Sequence, residues 1–201
     1  MKQGGHPHQT VVDPTGQWVL TVNLGTDSVY VYRLGGTLTQ HARVKLRTGS
    51  GPRHLAFHPG GGYAYVAGET DSTVTVCAWK AGTLRPGTVV STRPGNATTV
   101  NNPGEIAVSA DGRFVYVTNR GDNTVAVFGV SQGGAALRLL ASPACGGSEP
   151  RHLAIEPGGR WLYVANQHSN QVTWFAVDPS TGLLRKTGKV SAPAVSQVLI
   201  V

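Results

Sequence analysis

The strongest constraint on this chain is a stretch that it carries twice. Pro52-Arg53-His54-Leu55-Ala56-Phe57-His58-Pro59-Gly60-Gly61, running on to Ala64-Tyr65-Val66, returns as Pro150-Arg151-His152-Leu153-Ala154-Ile155-Glu156-Pro157-Gly158-Gly159, running on to Leu162-Tyr163-Val164. Looser copies begin at His8 and at Gly104, and the corresponding turn glycines are Gly16, Gly61, Gly112 and Gly159, at intervals of 45, 51 and 47 residues. A period of that size, filled with short β-branched and aromatic runs between Gly/Pro/Asp turns, is the signature of propeller blades. The sequence predicts an all-β chain, a β-propeller of four-stranded antiparallel blades. The blade units fall near 8–46, 53–92, 105–142 and 151–190, with a closing strand at 196–201. The most irregular connection is expected between Gly82 and Pro103.

Composition agrees with many short strands and tight turns. The 201 residues include 27 Gly and 12 Pro but only 13% charged residues. No run approaches 18 apolar residues, and the opening Met1-Lys2-Gln3-Gly4-Gly5-His6 lacks the apolar centre of a signal peptide. The expectation is a cytoplasmic protein without a membrane partner. Cys77 and Cys145 stand alone without CxxC spacing, which argues against a disulfide framework, a zinc site or haem attachment. His6 and His8 lack an accompanying carboxylate cluster, so no metal and no cofactor is expected. Seventeen Lys and Arg against ten Asp and Glu give a net charge of +7. These basic residues are scattered with no run of three, which argues against nucleic acid; solubility or a pocket for a small anion would use the same charge.

Blade geometry turns the repeat into a map. The first strand of each unit runs in, the turn reverses it, and the second runs out beside it. The residue before strand one and the residue after strand two must share one end of the blade. The inbound slot holds His8, Arg53, Gly104 and Arg151, followed by Gln9, His54, Glu105 and His152. The outbound slot holds Leu24, Glu69, Arg120 and Gln167, preceded by Asn23, Gly68, Asn119 and Asn166. First strands are innermost, so these residues ring one mouth of the central channel. A purely structural repeat would put the same residue in each slot; the mixture of His, Arg, Glu and Gln is what a shared asymmetric site requires. Asn119 and Asn166 also suit turns that bond their own backbone, His58 reads as a turn residue, and Arg53 with Glu69 also reads as a simple inter-strand ion pair.

The chain resembles the seven-bladed propeller lactonase family, which includes propeller-type 6-phosphogluconolactonases and carboxymuconate-cyclising enzymes. The resemblance rests on Gly51-Pro52-Arg53-His54 with Glu69, on Ser109-Ala110-Asp111-Gly112-Arg113-Phe114-Val115-Tyr116-Val117-Thr118-Asn119-Arg120-Gly121, and on Pro150-Arg151 with Leu162-Tyr163-Val164-Ala165-Asn166-Gln167. It implies that His8, Arg53, Glu69, Arg120 and Arg151 fall on the family's channel-mouth positions. Ala107 stands where many relatives have histidine. Seven blades at this period need about 330 residues, so about three blades are missing, which the alignment assigns to the N-terminal side.

Lactone opening needs a base for water, a cation for the developing oxyanion, and anchors for an anionic tail. Glu69 or His8 is expected as base, with His8 titrating near neutrality, and Arg53 as the group polarising the carbonyl. Arg120 and Arg151 are expected to grip phosphate, with His54, His152, Asn119 and Asn166 contacting substrate. The expected partner is a small anionic lactone, hydrolysed as 6-phosphogluconolactone. A muconate-type lactonising enzyme and a non-catalytic propeller binding module or inactive fragment are the alternatives. Four blades of a seven-blade arc leave two open faces, so self-association is expected.

Overall fold

The computed structural model describes residues 5–95, 97 and 99–200. Sixteen strands form four sheets of four. The first blade is β1 (Pro7–Val12), β2 (Trp18–Asn23), β3 (Ser28–Arg33) and β4 (Thr39–Lys45). The second is β5 (Pro52–Phe57), β6 (Tyr63–Gly68), β7 (Thr73–Lys80) and β8 (Thr83–Ser91). The third is β9 (Asn102–Val108), β10 (Phe114–Arg120), β11 (Thr124–Ser131) and β12 (Ala136–Ala141). The fourth is β13 (Pro150–Ile155), β14 (Trp161–Asn166), β15 (Gln171–Val177) and β16 (Leu184–Ser191). Each sheet is antiparallel and ordered as the chain runs. No helix among the described residues is long and apolar enough to cross a membrane.

The same hairpin opens every blade. The carbonyls of Asp13, His58, Ser109 and Glu156 accept the amides of Gly16, Gly61, Gly112 and Gly159 at 2.8–2.9 Å. Those glycines share φ values of 71°, 73°, 74° and 72°, left-handed backbone that a β-carbon disfavours. His58 is the turn residue expected of it: its Nδ1 accepts the Gly60 amide at 3.0 Å, while Nε2 lies 3.2 Å from the carbonyl of Gly112 in the next blade.

The core is three layers between successive blades. Leu20, Val22, Leu55 and Val66 belong to the first layer, Tyr65, Ala67, Ile106 and Val117 to the second, and Tyr116, Val127, Leu153 and Val164 to the third. Alternate residues of β6 and β10 therefore enter opposite layers, which is why β6 is apolar throughout and β10 is apolar from Phe114 to Val117. The outer face of the fourth blade differs, with Trp161, Tyr163 and Trp174 only half-buried.

Two expectations are corrected. The connection after Gly82 is regular as far as Ser91: Ala81 and Gly82, at φ 44° and 86°, make a two-residue hairpin turn into β8. The irregular stretch starts only at Thr92. Residues 196–200 form no strand but run past the inner ends of the blades, and Val201 lies outside the described residues.

Candidate functional site

A register shift near the start of each inner strand builds the site. β1 slips against β2 between Pro7 and Gln9, β5 against β6 between Pro52 and His54, and β13 against β14 between Pro150 and His152. His8, Arg53 and Arg151 occupy these irregularities. A bulge of this kind re-aims the residue it contains. In the third blade the shift lies opposite Thr118, whose Oγ accepts the amide of Glu105 at 2.8 Å in place of a ladder partner. Gly104 fills the slot held elsewhere by His or Arg because the fourth blade comes too close. A β-carbon there would sit 2.6 Å from Thr118 Oγ and 2.8 Å from the Arg151 carbonyl.

The inner ends enclose an open cleft of about 510 Å³, lined by His8, Arg53, His54, Glu105, Arg151 and His152 with Ser196 and Gln197 alongside. Glu105 is its hub. Its Oε1 lies 2.6 Å from His54 Nδ1 and accepts the Ile106 amide at 3.0 Å, and its Oε2 lies 3.0 Å from His152 Nε2. Burial alone would raise the acid's pKa, but the hydrogen bonds of His152 and His54 and their charge outweigh it and hold Glu105 at about 2. His54 Nε2 continues the line to His8 Nδ1 at 3.1 Å. On the far side, the amide of Val198 points at His152 Nδ1 from 3.4 Å.

Behind the cleft lies an arginine clamp. Arg53 Nε is 2.9 Å from Glu69 Oε2 but off the hydrogen-bond axis, so charge rather than an aligned bond holds the two. Arg120 Nη2 approaches the same oxygen at 2.9 Å, and its Nη1 lies 3.5 Å from Glu149 Oε1. Arg120 also donates to the carbonyls of Asn102 and Pro103 at 2.9 and 3.3 Å. Arg53 Nη1 donates to the Gly104 carbonyl at 2.8 Å. Burial, then the like charge of Arg120, lowers Arg53 to about 10, where it is still a cation at neutral pH. Arg151 is placed differently. It pairs with no carboxylate among the described residues, and its Nη1 reaches only Gln167 Oε1, at 3.5 Å.

Several sequence expectations change here. His8 does not titrate near neutrality. Although it opens on the cleft, partial burial of its ring, then Arg53, His54, Arg151 and Arg120, lowers it to about 4. Arg53, whose slot lies at the mouth, is buried, at 2% exposed. Glu69 is absent from the cleft lining, and Arg120 sits in the clamp rather than beside Arg151. Asn119 and Asn166 are fully buried and hold loops together. Asn119 donates to the Thr92 carbonyl at 2.9 Å, and Asn166 to Thr173 Oγ1 at 2.9 Å. His54 and His152 do line the cleft. Glu105 is the residue that the sequence reading passed over. Among the described residues, no three His, Cys, Asp or Glu side chains converge as metal ligands.

The family described as "Lactonase, 7-bladed beta-propeller" matches residues 1–200. The 6-phosphogluconolactonase of Bacillus subtilis is 42% identical over 130 residues, which are 63% of this chain and 37% of that protein. The 6-phosphogluconolactonase of Pectobacterium carotovorum is 35% identical over 138 residues, 66% of this chain and 42% of that one. The matched stretches thus cover well under half the length of these relatives. Among solved structures, the periplasmic gluconolactonase of Pseudomonas aeruginosa superposes with a TM-score of 0.89 at 37% identity, covering 94% of this chain and 55% of its own. A Lactobacillus plantarum protein superposes at 0.93 with 32% identity, covering 98% and 62%. With the match running through all four blades rather than along one of them, the chain belongs to the seven-bladed β-propeller lactonase family.

Proposed function

We propose that the cleft binds and hydrolyses an anionic sugar lactone, with 6-phosphogluconolactone as its substrate. The observation that carries this reading is Arg151. It opens on the cleft with its charge uncompensated, because Gln167 stands where Glu69 stands beside Arg53. A planar guanidinium can take two phosphate oxygens at once. The lactonase names of the relatives support the same chemical class.

The reaction assigns parts to His8 and Arg53 among the lining residues. A water oxygen attacks the lactone carbonyl carbon, and its proton moves to His8 Nε2. Arg53, which lines the cleft, faces the oxyanion that develops as the carbonyl electrons move to oxygen. Collapse restores the carbonyl and breaks the ring C–O bond, and the ring oxygen takes the proton back from His8. One water has been added, and the product is a hydroxy acid that ionises in solution. Glu69 holds Arg53 and Arg120 in place and does not react. Cys77 and Cys145 are both buried and take no part.

The test is acid release from 6-phosphogluconolactone and from unphosphorylated gluconolactone, followed by pH-stat against spontaneous opening in buffer. The chain is expected to open the phosphorylated lactone faster than buffer does. Arg151→Ala is expected to lower kcat/KM on that substrate by about 10- to 150-fold, the worth of one charge-assisted contact, and to change the unphosphorylated one little. Acid release no faster than in buffer overturns the reading, and equal losses on both lactones remove phosphate from it.

A further inference from the structure

His8 is an odd base for this reaction. Its ring lies in the field of Arg53 on β5, Arg151 on β13 and Arg120 on β10, so a proton that stayed on His8 would be opposed by three positive charges. What lies behind His8 resolves this. His8 Nδ1 is 3.1 Å from His54 Nε2, and His54 Nδ1 is 2.6 Å from Glu105 Oε1. Glu105, on β9, is 6% exposed, and His152, on β13, occupies its second oxygen at 3.0 Å. Three blades thus contribute one line of hydrogen-bonding atoms that starts at the cleft and ends on a buried carboxylate.

We infer that Glu105, His54 and His8 form a proton relay in which Glu105 is a positioning residue and the proton taken from water comes to rest on His54. The inference rests on the lactone-hydrolase reading of the cleft. As an ionised acceptor, Glu105 fixes His54 with its proton on Nδ1, which leaves Nε2 to accept from His8 Nδ1–H and turns the bare Nε2 of His8 toward the cleft. When water attacks, His8 Nε2 gains a proton and His8 Nδ1 passes its own to His54 Nε2. His8 is neutral again, and the new positive charge lies beside the Glu105 carboxylate rather than among the arginines. The reverse shuttle returns one proton to the departing ring oxygen, so none is created or lost. His152 is oriented separately. The Val198 amide points at its Nδ1, so Nε2 carries the proton given to Glu105. The low pKa of Glu105, about 2, agrees with a carboxylate that stays ionised throughout.

Two measurements on the intact chain test this, the first independent of turnover. Long-range ¹H–¹⁵N spectra of histidine-labelled protein at neutral pH, with His8→Gln and His54→Gln for assignment, are expected to find both His8 and His54 protonated on Nδ1 only. His8 protonated on Nε2 with Nδ1 bare overturns the relay. The second measurement is turnover by Glu105→Gln, which keeps the shape and removes the charge. It is expected to lower kcat by about 10²- to 10³-fold, within the range of general acid–base catalysis, while KM stays within about threefold. Its imidazoles are expected to lose the fixed tautomers, and Glu105→Asp to recover part of the rate. Unchanged kcat and unchanged tautomers in Glu105→Gln overturn the relay. If that variant does not fold, His54→Gln carries the same expectation for kcat and leaves the carboxylate bonded to His152. Wild-type protein that opens no lactone faster than buffer removes the hydrolase reading, and the tautomer pattern still decides whether the relay exists.

Discussion

The second and fourth blades carry the same motif at their inner ends and do opposite things with it. In the second, Arg53 meets Glu69 at 2.9 Å and is 2% exposed. In the fourth, Arg151 meets Gln167 at 3.5 Å and is half-buried at the cleft. The slots are equivalent, so the difference is chemical: a carboxylate exchanged for a neutral amide. Where the arginine is compensated it is held in a network, shared through Glu69 with Arg120 and onward to Glu149. Where it is not, its charge is left for a ligand. Repetition builds the scaffold, and one departure from repetition leaves a cation open to the cleft.

The hardest way to break this comparison is to remove each arginine. Arg53→Ala leaves Glu69 with half its compensation beside a buried gap, and breaking a buried pair costs about 3–5 kcal/mol. Arg151→Ala breaks no charged pair and should stay within about 0.5 kcal/mol of the parent. Chemical denaturation compares them directly, and equal losses would mean that the two arginines do the same job. A slightly smaller effect is expected from acid. Glu105 titrates at about 2 in the folded chain against 4.5 unperturbed. Because the folded-state value is the lower one, its contribution, about 3 kcal/mol, is present above pH 4.5 and is lost as pH falls from there toward 2. His8, lowered from 6.5 to about 4, acts in the same direction, since the folded chain resists its protonation as pH falls from 6.5 toward 4. Stability should therefore fall on acidification from about pH 6.5 downward, and Glu105→Gln should flatten the part below 4.5.

That acid arm depends on Glu105, a site residue that the sequence reading does not select, and the reason is physical. Strands and turns are local, so the repeat around Gly61 and Gly159 carried the four-stranded blades and their order. Topology alone also brings the inbound and outbound residues to one end, which was enough to gather His8, Arg53, His54, Arg151 and His152. What a slot does not reveal is how far a side chain reaches into the neighbouring blade. Glu105 read as one of four unlike residues in a row with Gln9, His54 and His152. The available signal was that histidines occupy its slot in both adjacent blades, so one carboxylate would face two imidazoles. Arg120 misled in the opposite sense. Its slot is at the mouth, but its guanidinium turns back to the Asn102 and Pro103 carbonyls and to Glu69. Asn119 and Asn166 are buried and bond neighbouring segments instead of the backbone of their own turns, Asn119 donating to the Thr92 carbonyl and Asn166 on β14 to Thr173 Oγ1 on β15.

A gentler variant sharpens the comparison by making the fourth blade resemble the second. Gln167→Glu supplies the carboxylate that Arg151 lacks, with almost no change in size. If uncompensated charge is what attracts the substrate's anion, the new pair should withdraw Arg151 from it. The expected cost is about 1.5–3 kcal/mol of binding, or roughly 10- to 150-fold in kcat/KM on a phosphorylated lactone, seen mainly as a higher KM. Stability should change little, because an ion pair open to solvent contributes about 0–1 kcal/mol. An unchanged KM would mean that Arg151 does not meet the anion.

The smallest effect is expected at the other end of the same blades, where the repeat is kept. Gly159 sits at φ 72° with nothing within 4 Å of the position a β-carbon would take. Gly159→Ala therefore tests backbone conformation without steric conflict. Left-handed backbone costs a residue with a β-carbon about 1–2 kcal/mol. Gly16 and Gly61, at φ 71° and 73°, are equally open, so alanine at either should cost the same as at Gly159. Gly112, at φ 74°, differs because a β-carbon there would meet His58 Nε2 at 2.5 Å, so its alanine variant should cost more. Thermal melts of the four variants would rank them, and lactone turnover should be unaffected at Gly159, since that turn lies at the opposite end of the blade from the cleft. A loss of activity in Gly159→Ala that exceeds its loss of stability would mean that turn and mouth are coupled, and the division between scaffold end and chemical end would fail.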